Sequence, residues 1–370
     1  MRQARRALVG IGLAGLLCVS GGVAQAAWPG QFKDVDTWPK WGLFGERYDE
    51  ETFAAWGGDL AEAVWWELMV GDPPASGIST ELRMFRPYDA ITRAEFATVL
   101  GRALGFEKRG IGAEWFRPIV DQLMRDGIIS KGGNFNTPIT RREMGEWVGR
   151  ALEWYGVELE RKPELDLKDI QGLPEAQYIR LATRAGVIKG YPDGTYRPNQ
   201  TATRAEAAAM GVRFAKQLRK NLPDPGVFEQ HFRDLAKAAA EGVKEALEKG
   251  TPFDHAYLLE PYLSEMVLYG YGGYDISTYF VMDYYDRKYL GYSELVSIQS
   301  EPIFVRDTIA LVKNSVVVRG VQIDGTDLGT DSDTYYCYYV KRNGRWFGTN
   351  TKWPQDYPEG WKPVPEVANP

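Results

Sequence analysis

A six-residue motif, called the word below, occurs three times in the chain with small changes, as ITRAEF at 91–96, ITRREM at 139–144 and ATRAEA at 202–207. In each copy a threonine precedes an arginine, and a glutamate follows the threonine three residues later. Thr-x-x-Glu is the pattern of a capping box, in which both side chains satisfy backbone N–H groups at a helix start. We therefore predict that three helices begin here, capped by Thr92 with Glu95, Thr140 with Glu143, and Thr203 with Glu206.

The residues after each word support three helices with one buried face. Apolar side chains recur at helical spacing after the first two copies, at Phe96, Val99, Leu100 and Leu104 and at Met144, Trp147, Val148 and Leu152. Upstream of each word lies an extended piece, and upstream of the second and third copies also a Gly-containing turn and a further helical stretch. Repeats of this kind indicate supersecondary units that pack on one another.

An arginine takes the first helical position in every copy, as Arg93, Arg141 and Arg204. A cation is disfavoured there by a few tenths to about 1 kcal/mol, because the N–H groups of a helix start carry partial positive charge. An anionic ligand would reverse this penalty, since helix N-termini and guanidinium groups both bind carboxylates and phosphates. A salt bridge to another repeat would also reverse it. The residues alone leave both explanations open.

The N-terminal segment, the apolar stretches and the net charge indicate which class of protein this is. Residues 1–26 have the basic start, apolar stretch and small-residue end of a secretory signal peptide, so we predict an exported protein. No later segment has the roughly 20 apolar residues of a membrane helix. The net charge of −6 and the lack of a basic patch argue against nucleic-acid binding. Lys216 to Gly226, with two prolines, marks the clearest domain boundary.

Beyond residue 222 the pattern changes to that of an α+β domain. Apolar residues from Phe228 to Leu247 predict one long amphipathic helix, and shorter helices are expected near 256–269 and 276–289. From about residue 293 the period becomes two, which predicts antiparallel strands. RNGR at 342–345 predicts a two-residue hairpin turn, because Asn-Gly tolerates positive φ angles.

The second half offers only weak candidates for chemistry. The tyrosine-rich run at 269–292 could stack on sugars but is more typical of core and rim. An acidic cluster, Asp324, Asp327, Asp331 and Asp333, favours a hairpin connection over a calcium site. Two histidines are too few for a zinc site or triad, and nothing fixes the separation of Asp283 and Asp286. We therefore predict no catalytic residues, no metal and no cofactor.

The three repeats resemble S-layer homology (SLH) domains, the modules of bacterial surface proteins. The third copy carries the likeness best, in LKDIQGLPEAQYIRLATRAGVIKGYPDGTYRPNQTATRAEAA at 167–208. The first has FKDV at 32–35 and FRPYDAITRAEF at 85–96, with a long insert between them. The second lacks the F-x-D-V opening. The likeness covers roughly residues 30–220.

The resemblance implies an all-α, mainly helical, pseudo-threefold assembly that anchors the protein noncovalently to the cell wall or S-layer. Its grooves would bind an anionic, pyruvylated secondary cell-wall polymer, and other S-layer proteins are further candidate partners. The resemblance assigns polymer binding to the word arginines and to the opening aspartates, hence to Arg93, Arg141, Arg204, Asp34 and Asp169.

The domain plan follows from these patterns. We expect a signal peptide at 1–26, SLH modules at 27–108, 109–161 and 162–222, an α+β domain with a curved antiparallel sheet at 223–355, and a flexible tail at 356–370. The last domain faintly resembles nuclear-transport-factor-like cone domains. It could be a displayed domain, an enzyme of polysaccharide or wall metabolism, or part of an S-layer scaffold, and the sequence favours display.

Overall fold

The computed structural model describes residues 50–72, 83–106, 112–130, 132–158, 165–249, 259–264, 291–322 and 324–352. Several sequence predictions lie outside these ranges, among them the signal peptide, Asp34, His255, Asp283, Asp286 and the tail. Most of the tyrosine-rich run and of the two short helices predicted near 256–269 and 276–289 lies outside them as well.

Seven α-helices and a four-stranded antiparallel sheet make up the regular structure of the described residues. The helices are α1 Glu50–Trp65, α2 Arg93–Ala103, α3 Arg117–Arg125, α4 Arg141–Tyr155, α5 Ala176–Arg184, α6 Arg204–Ala215 and α7 Gly226–Lys249. Among them, none is long and apolar enough to cross a bilayer. This is the helical region followed by an α+β region that the sequence predicts.

Helices α2, α4 and α6 begin at the arginines of the three repeated words. The preceding threonines have extended backbones, and each accepts a hydrogen bond from the N–H of the glutamate three residues on. The glutamate side chain accepts in return from the threonine N–H, at 2.8, 3.0 and 2.9 Å. All three capping boxes are thus formed in the structure.

The first residues of the three words, just before the capping threonines, bond to one another in a ring. The N–H of Ile91 donates to the carbonyl of Ala202, that of Ala202 to Ile139, and that of Ile139 to Ile91, at 3.0, 3.0 and 2.9 Å. Ile91, Ile139 and Ala202 are fully buried. Each segment therefore satisfies its buried backbone groups only when the other two are present.

The sheet has the strand order β1-β2-β3-β4. Its strands are β1 Gly291–Val305, β2 Ile309–Gln322, β3 Asp327–Arg342 and β4 Arg345–Lys352. Asn343 and Gly344 connect the last two with φ angles of 46° and 83°. The period-two pattern and the Asn-Gly turn are both confirmed.

Alternate residues of the sheet face two different partners. Phe304, Ile309, Leu311, Tyr338 and Val340 join the core of the helical region. On the opposite face, the side chains that meet Phe228, Phe232 and Ala236 of α7 include Ala310, Val312, Cys337 and Tyr339. Cys337 is buried there, as its strand-like setting predicts.

Specific hydrogen bonds join the sheet to the helical region. The indole N–H of Trp66 donates to the carbonyl of Ala310 at 3.0 Å. The Thr308 hydroxyl donates to the carbonyl of Ala103 at 2.7 Å, and the Thr349 hydroxyl to that of Trp65 at 2.6 Å. The predicted boundary near residue 222 thus divides the chain in sequence, while one hydrophobic core spans both sides of it.

Candidate functional site

Arg93, the first word arginine, lies between the first and second repeats and is partly open to solvent. Its Nε and Nη2 atoms donate to Oε1 of Glu143 at 2.9 and 2.7 Å, and Nη1 donates to the Thr137 hydroxyl. The Arg93 side chain keeps 26% of its surface exposed, and that of Glu143 keeps 28%.

Arg141, the second word arginine, is buried between the second and third repeats. Its Nε donates to the carbonyl of Tyr196 at 2.7 Å, and its Nη1 forms a salt bridge with Glu206. The guanidinium carbon lies 4.8 and 4.7 Å from the ring centres of Tyr191 and Tyr196. Only 6% of the side chain is exposed.

Arg204, the third word arginine, repeats this arrangement between the third and first repeats. Its Nε donates to the carbonyl of Phe85 at 2.6 Å, and its Nη1 donates to Oε1 of Glu95 at 2.5 Å. Its guanidinium carbon is 5.7 Å from the Phe85 ring centre. The side chain is 4% exposed.

These three salt bridges form a closed arginine–glutamate cycle. Each arginine pairs with the capping-box glutamate of the next repeat, as Arg93 with Glu143, Arg141 with Glu206, and Arg204 with Glu95. Each glutamate therefore both caps its own helix and binds a neighbouring repeat. Of the two explanations that the sequence leaves open, the salt bridge between repeats is present at all three positions.

The charge on Glu143 is held in place by its partners. Burial opposes its ionisation, but hydrogen bonds from the Thr140 backbone and from the Arg93 side chain outweigh that effect. They lower the pKa of Glu143 below its ordinary value. The carboxylate form is thus stabilised in the folded chain.

The helix starts themselves do not offer the free N–H groups that the sequence argument assumes. The N–H groups of Arg93 and Ala94 donate to the carbonyls of Thr137 and Phe135 at 3.0 and 2.8 Å. The first two N–H groups of α4 and α6 likewise donate to carbonyls of the neighbouring repeat, and the capping threonines take the third. An anion would therefore have to be bound by side chains.

Asp169, the predicted opening aspartate of the third repeat, has a clear partner set. Its two carboxylate oxygens accept hydrogen bonds from the backbone N–H groups of Tyr196 and Arg197, both at 2.7 Å. This fixes the extended piece whose Tyr196 ring lies on Arg141. Polymer binding by Asp169 remains a prediction beside this structural role.

Two further arginines, both exposed, lie beside the buried word arginines and were not predicted from the sequence. Nη2 of Arg86 lies 2.6 Å from Oδ2 of Asp72, and Nη2 of Arg204 lies 3.9 Å from Oδ1 of the same carboxylate. The Arg86 side chain is 44% exposed. Arg197 lies over the Tyr191 ring at 3.8 Å, beside Arg141, and is 40% exposed. Each precedes a proline in the FRP and YRP segments, a shared pattern that could have singled them out.

The acidic cluster of the second half serves the turns and strands around it. Asp324 and Asp327 accept hydrogen bonds from the N–H groups two residues on, at 2.9 and 2.7 Å. Asp331 and Asp333 lie exposed on β3. Within the described ranges, no group of three or more His, Cys, Asp or Glu side chains could hold a metal ion. Asp324 lies in the turn between β2 and β3, whereas Asp327, Asp331 and Asp333 lie within β3, outside the predicted hairpin connection.

Residues 166–208, which include the third word and the Asp169 contacts, match the family model of the S-layer homology domain. The chain contains an SLH domain. The match covers one of the three repeats, and it coincides with the copy whose sequence resembles the family best.

Relatives of known description support the same assignment. The chain is 32% identical over 144 residues to a cellulosome-anchoring protein of Acetivibrio thermocellus, an alignment that covers 34% of this chain and 32% of the relative. Cell surface glycoprotein 1 of that organism is 38% identical over 84 residues, or 22% of this chain and 4% of the relative. An exoglucanase of the same species is 27% identical over 140 residues, which cover 34% of this chain and 13% of the relative.

The chain thus spans about a third or less of the length of these relatives. The SLH domain and the surface relatives indicate a location at the cell wall or cell surface and support a role in anchoring there. They leave the ligand of the SLH region and the role of the α+β region to be proposed.

Proposed function

We propose that the three repeats act together as tandem SLH modules that hold this protein noncovalently to an anionic secondary cell-wall polymer. The observation that carries the proposal is the SLH match at 166–208, on a repeat that is locked into the closed arginine–glutamate cycle. Since the cycle needs all three words, the other two repeats belong to the same binding unit.

The polymer's charged groups would meet the arginines that remain accessible. Arg93 keeps about a quarter of its surface exposed, whereas Arg141 and Arg204 are buried and paired. Removing one partner from a buried pair costs about 3–5 kcal/mol, so a ligand would displace Glu206 or Glu95 only with difficulty. We infer that Arg93 is the principal anion contact and that Arg141 and Arg204 chiefly position the grooves.

Arg86 and Arg197 extend this proposal to the other two grooves. Both are exposed cations beside a buried word arginine. The expected ligand group is a carboxylate on a sugar, such as a pyruvate ketal, because a guanidinium binds a carboxylate through two parallel hydrogen bonds.

The α+β region is proposed as a displayed part of the same body. Because its sheet shares a core with the helical region, it would be held rigidly against the anchor. The exoglucanase relative is matched over only 13% of its length, so its name gives little support to a glycosidase in this chain. The likeness to cone domains and the enzyme and scaffold alternatives stay predictions.

Binding of the full chain to purified wall sacculi, with and without pyruvyl groups on the polymer, tests the proposal. We expect removal of the pyruvyl groups to abolish most binding. Arg93→Gln should weaken binding at least tenfold, corresponding to about 1.5–3 kcal/mol for a lost charged hydrogen bond. Arg125→Gln, at an exposed position at the end of α3, is the matched control and should leave binding unchanged.

Indifference to pyruvylation would show that the polymer is held through other groups. Equal loss in Arg93→Gln and Arg125→Gln would instead indicate diffuse electrostatic attraction. In that case moderate salt should also weaken binding steeply, since exposed charges are screened within about 8 Å at physiological ionic strength.

A further inference from the structure

A second arginine cluster lies where the helical region meets the sheet, away from the repeated words. Arg306, in the turn between β1 and β2, is only 3% exposed. Its Nε donates to the carbonyl of Lys216 and its Nη1 to that of Val305, both at 2.7 Å. Its buried Nη2 has no hydrogen-bond partner among the described residues.

Arg219, just beyond α6, carries another guanidinium, and its positive charge acts on Arg306. Its Nε is also buried and lacks a partner among the described residues. Burial, together with the positive charge of Arg219, lowers the pKa of Arg306 to about 10. Within the described part of the chain, neither guanidinium forms an ion pair with a carboxylate.

Asp307, a carboxylate whose charge acts on Arg306, bonds to other groups. Its Oδ2 accepts from the Tyr155 hydroxyl, and its Oδ1 accepts from the N–H of Asn221 at 2.9 Å. The Asn221 side chain donates to Oδ2 as well, at 3.3 Å. Burial and the contact with Asp307 raise the pKa of the Tyr155 hydroxyl, so this tyrosine stays a donor.

The surrounding charge is positive although the chain as a whole is acidic. Lys216 and Lys220 lie on the same segment as Arg219, and Lys216 is paired with Glu62 at 2.5 Å. The Lys220 ammonium donates to the carbonyl of Tyr155. Arg219, Lys220 and Arg306 therefore form no salt bridge with a carboxylate in the described structure, although the charge of Asp307 acts on Arg306.

A purely structural explanation accounts for part of this arrangement. Arg306 donates to a carbonyl at the C-terminal end of α6, where a cation is favoured by the helix dipole. That accounts for its Nε atom. It does not account for the buried Nη2 of Arg306 or the buried Nε of Arg219, since buried donors and charges are normally hydrogen-bonded.

We propose that Arg306 and Arg219 together bind a small oxyanion, either a carboxylate or a phosphate group, at the seam between α6 and the β1–β2 turn. One oxyanion accepts from both unpartnered N–H groups and offsets both charges. Arg219 is half-buried, so the ligand enters from its side. Since β1 and β2 belong to the sheet and α6 to the SLH region, occupancy ties the two regions together.

This site is separate from the groove of Arg93 and does not depend on the proposed function. Its ligand could be a free anion or a charged group of the wall polymer, because both present the same oxygen atoms. Inorganic phosphate serves as the probe for a phosphate group, and pyruvate serves as the probe for a carboxylate.

The test is calorimetric titration of each probe into the full chain, with sodium chloride holding ionic strength constant. We expect saturable binding at one site for at least one probe. Arg219→Gln should weaken that binding at least tenfold, and Arg184→Gln, exposed at the end of α5, should not. Arg219 makes no side-chain hydrogen bond in the described structure, so its variant should fold even if Arg306→Gln does not.

Each outcome decides the proposal. Phosphate binding alone, pyruvate binding alone, or binding of both, lost in Arg219→Gln, supports the site and identifies its chemistry. Bound anion should also raise the melting temperature of the wild-type chain and not that of Arg219→Gln, because a ligand stabilises the state that binds it. Absence of saturable binding, or binding unchanged in Arg219→Gln, overturns it.

Discussion

Arg93 and Arg141 stand at the same position of the repeated word, but their surroundings differ. Both arginines begin a capped helix and pair with the glutamate of the next repeat. Arg141 lies on aromatic rings and is buried, whereas Arg93 faces a segment with Gly133 seven residues before the threonine, where the other repeats have Phe85 and Tyr196. A motif position therefore fixes the local helix start, while the neighbouring repeat decides whether its arginine is accessible.

The largest expected difference is in stability. Arg141→Ala leaves Glu206 buried without its partner and should lower the free energy of unfolding by about 3–5 kcal/mol. Arg93→Ala removes a pair that keeps about a quarter of its surface exposed and should lower the free energy of unfolding by about 1 kcal/mol or less. Denaturant unfolding of the two variants measures the contrast, and equal losses would show that burial does not distinguish the grooves.

Arg204→Ala distinguishes the expectation from the sequence from the expectation from the structure. Sequence reasoning predicts that Arg204→Ala leaves the fold intact, because the capping box remains. The structure buries the Arg204 side chain and pairs it with Glu95, whose side chain is 23% exposed, so this variant should lose stability, but less than Arg141→Ala does. A melting temperature unchanged from wild type would restore the original expectation.

The caps should differ far less than the arginines. Thr92→Ala, Thr140→Ala and Thr203→Ala each remove one side-chain acceptor from a helix start and should each lower the free energy of unfolding by about 1 kcal/mol. Similar losses in all three variants would show that the difference between the surroundings of Arg93 and Arg141 comes from contacts between repeats. A cap worth several kcal/mol more than the others would place it in the helix starts instead.

The smallest expected effect is a pH dependence at the Arg93 groove. The folded-state pKa of Glu143 lies below its ordinary value of 4.5, so its contribution to stability is present above that pH. The contribution is lost as the pH falls through the folded-state pKa. Glu143→Gln should therefore flatten the decline in melting temperature below pH 4.5, and a variant with the wild-type slope would exclude Glu143 as a source of it.

Much of the fold follows from local patterns. The capping boxes, the period-two strands and the Asn-Gly turn each depend on residues a few positions apart, and all of them are present in the structure. The arginine–glutamate pairs join residues 50, 65 and 109 positions apart. The sequence offers a salt bridge between repeats as one option, but only the packed structure shows which residues pair.

The core shared by the helical region and the sheet could not be predicted from the sequence either, because its contacts join residues far apart in the chain. Trp65 is the last residue of α1 and Trp66 follows it, and nothing local indicates that Trp66 bonds to Ala310 across 244 residues. The Arg306 cluster is equally nonlocal, since it depends on the end of α6 meeting the β1–β2 turn. Arg86 and Arg197 were accessible to sequence reasoning through their shared Arg-Pro pattern but lie outside the repeated word.

In the proposed anchor, one word arginine binds the polymer while two hold the repeats together. Sacculus binding and unfolding free energy, both measured on the same full-length Arg93→Gln and Arg204→Gln variants, separate these two roles. We expect opposite patterns: Arg93→Gln loses binding and keeps its stability, and Arg204→Gln loses stability and, at temperatures where it remains folded, keeps most of its binding. The same pattern in both variants would contradict this division of roles.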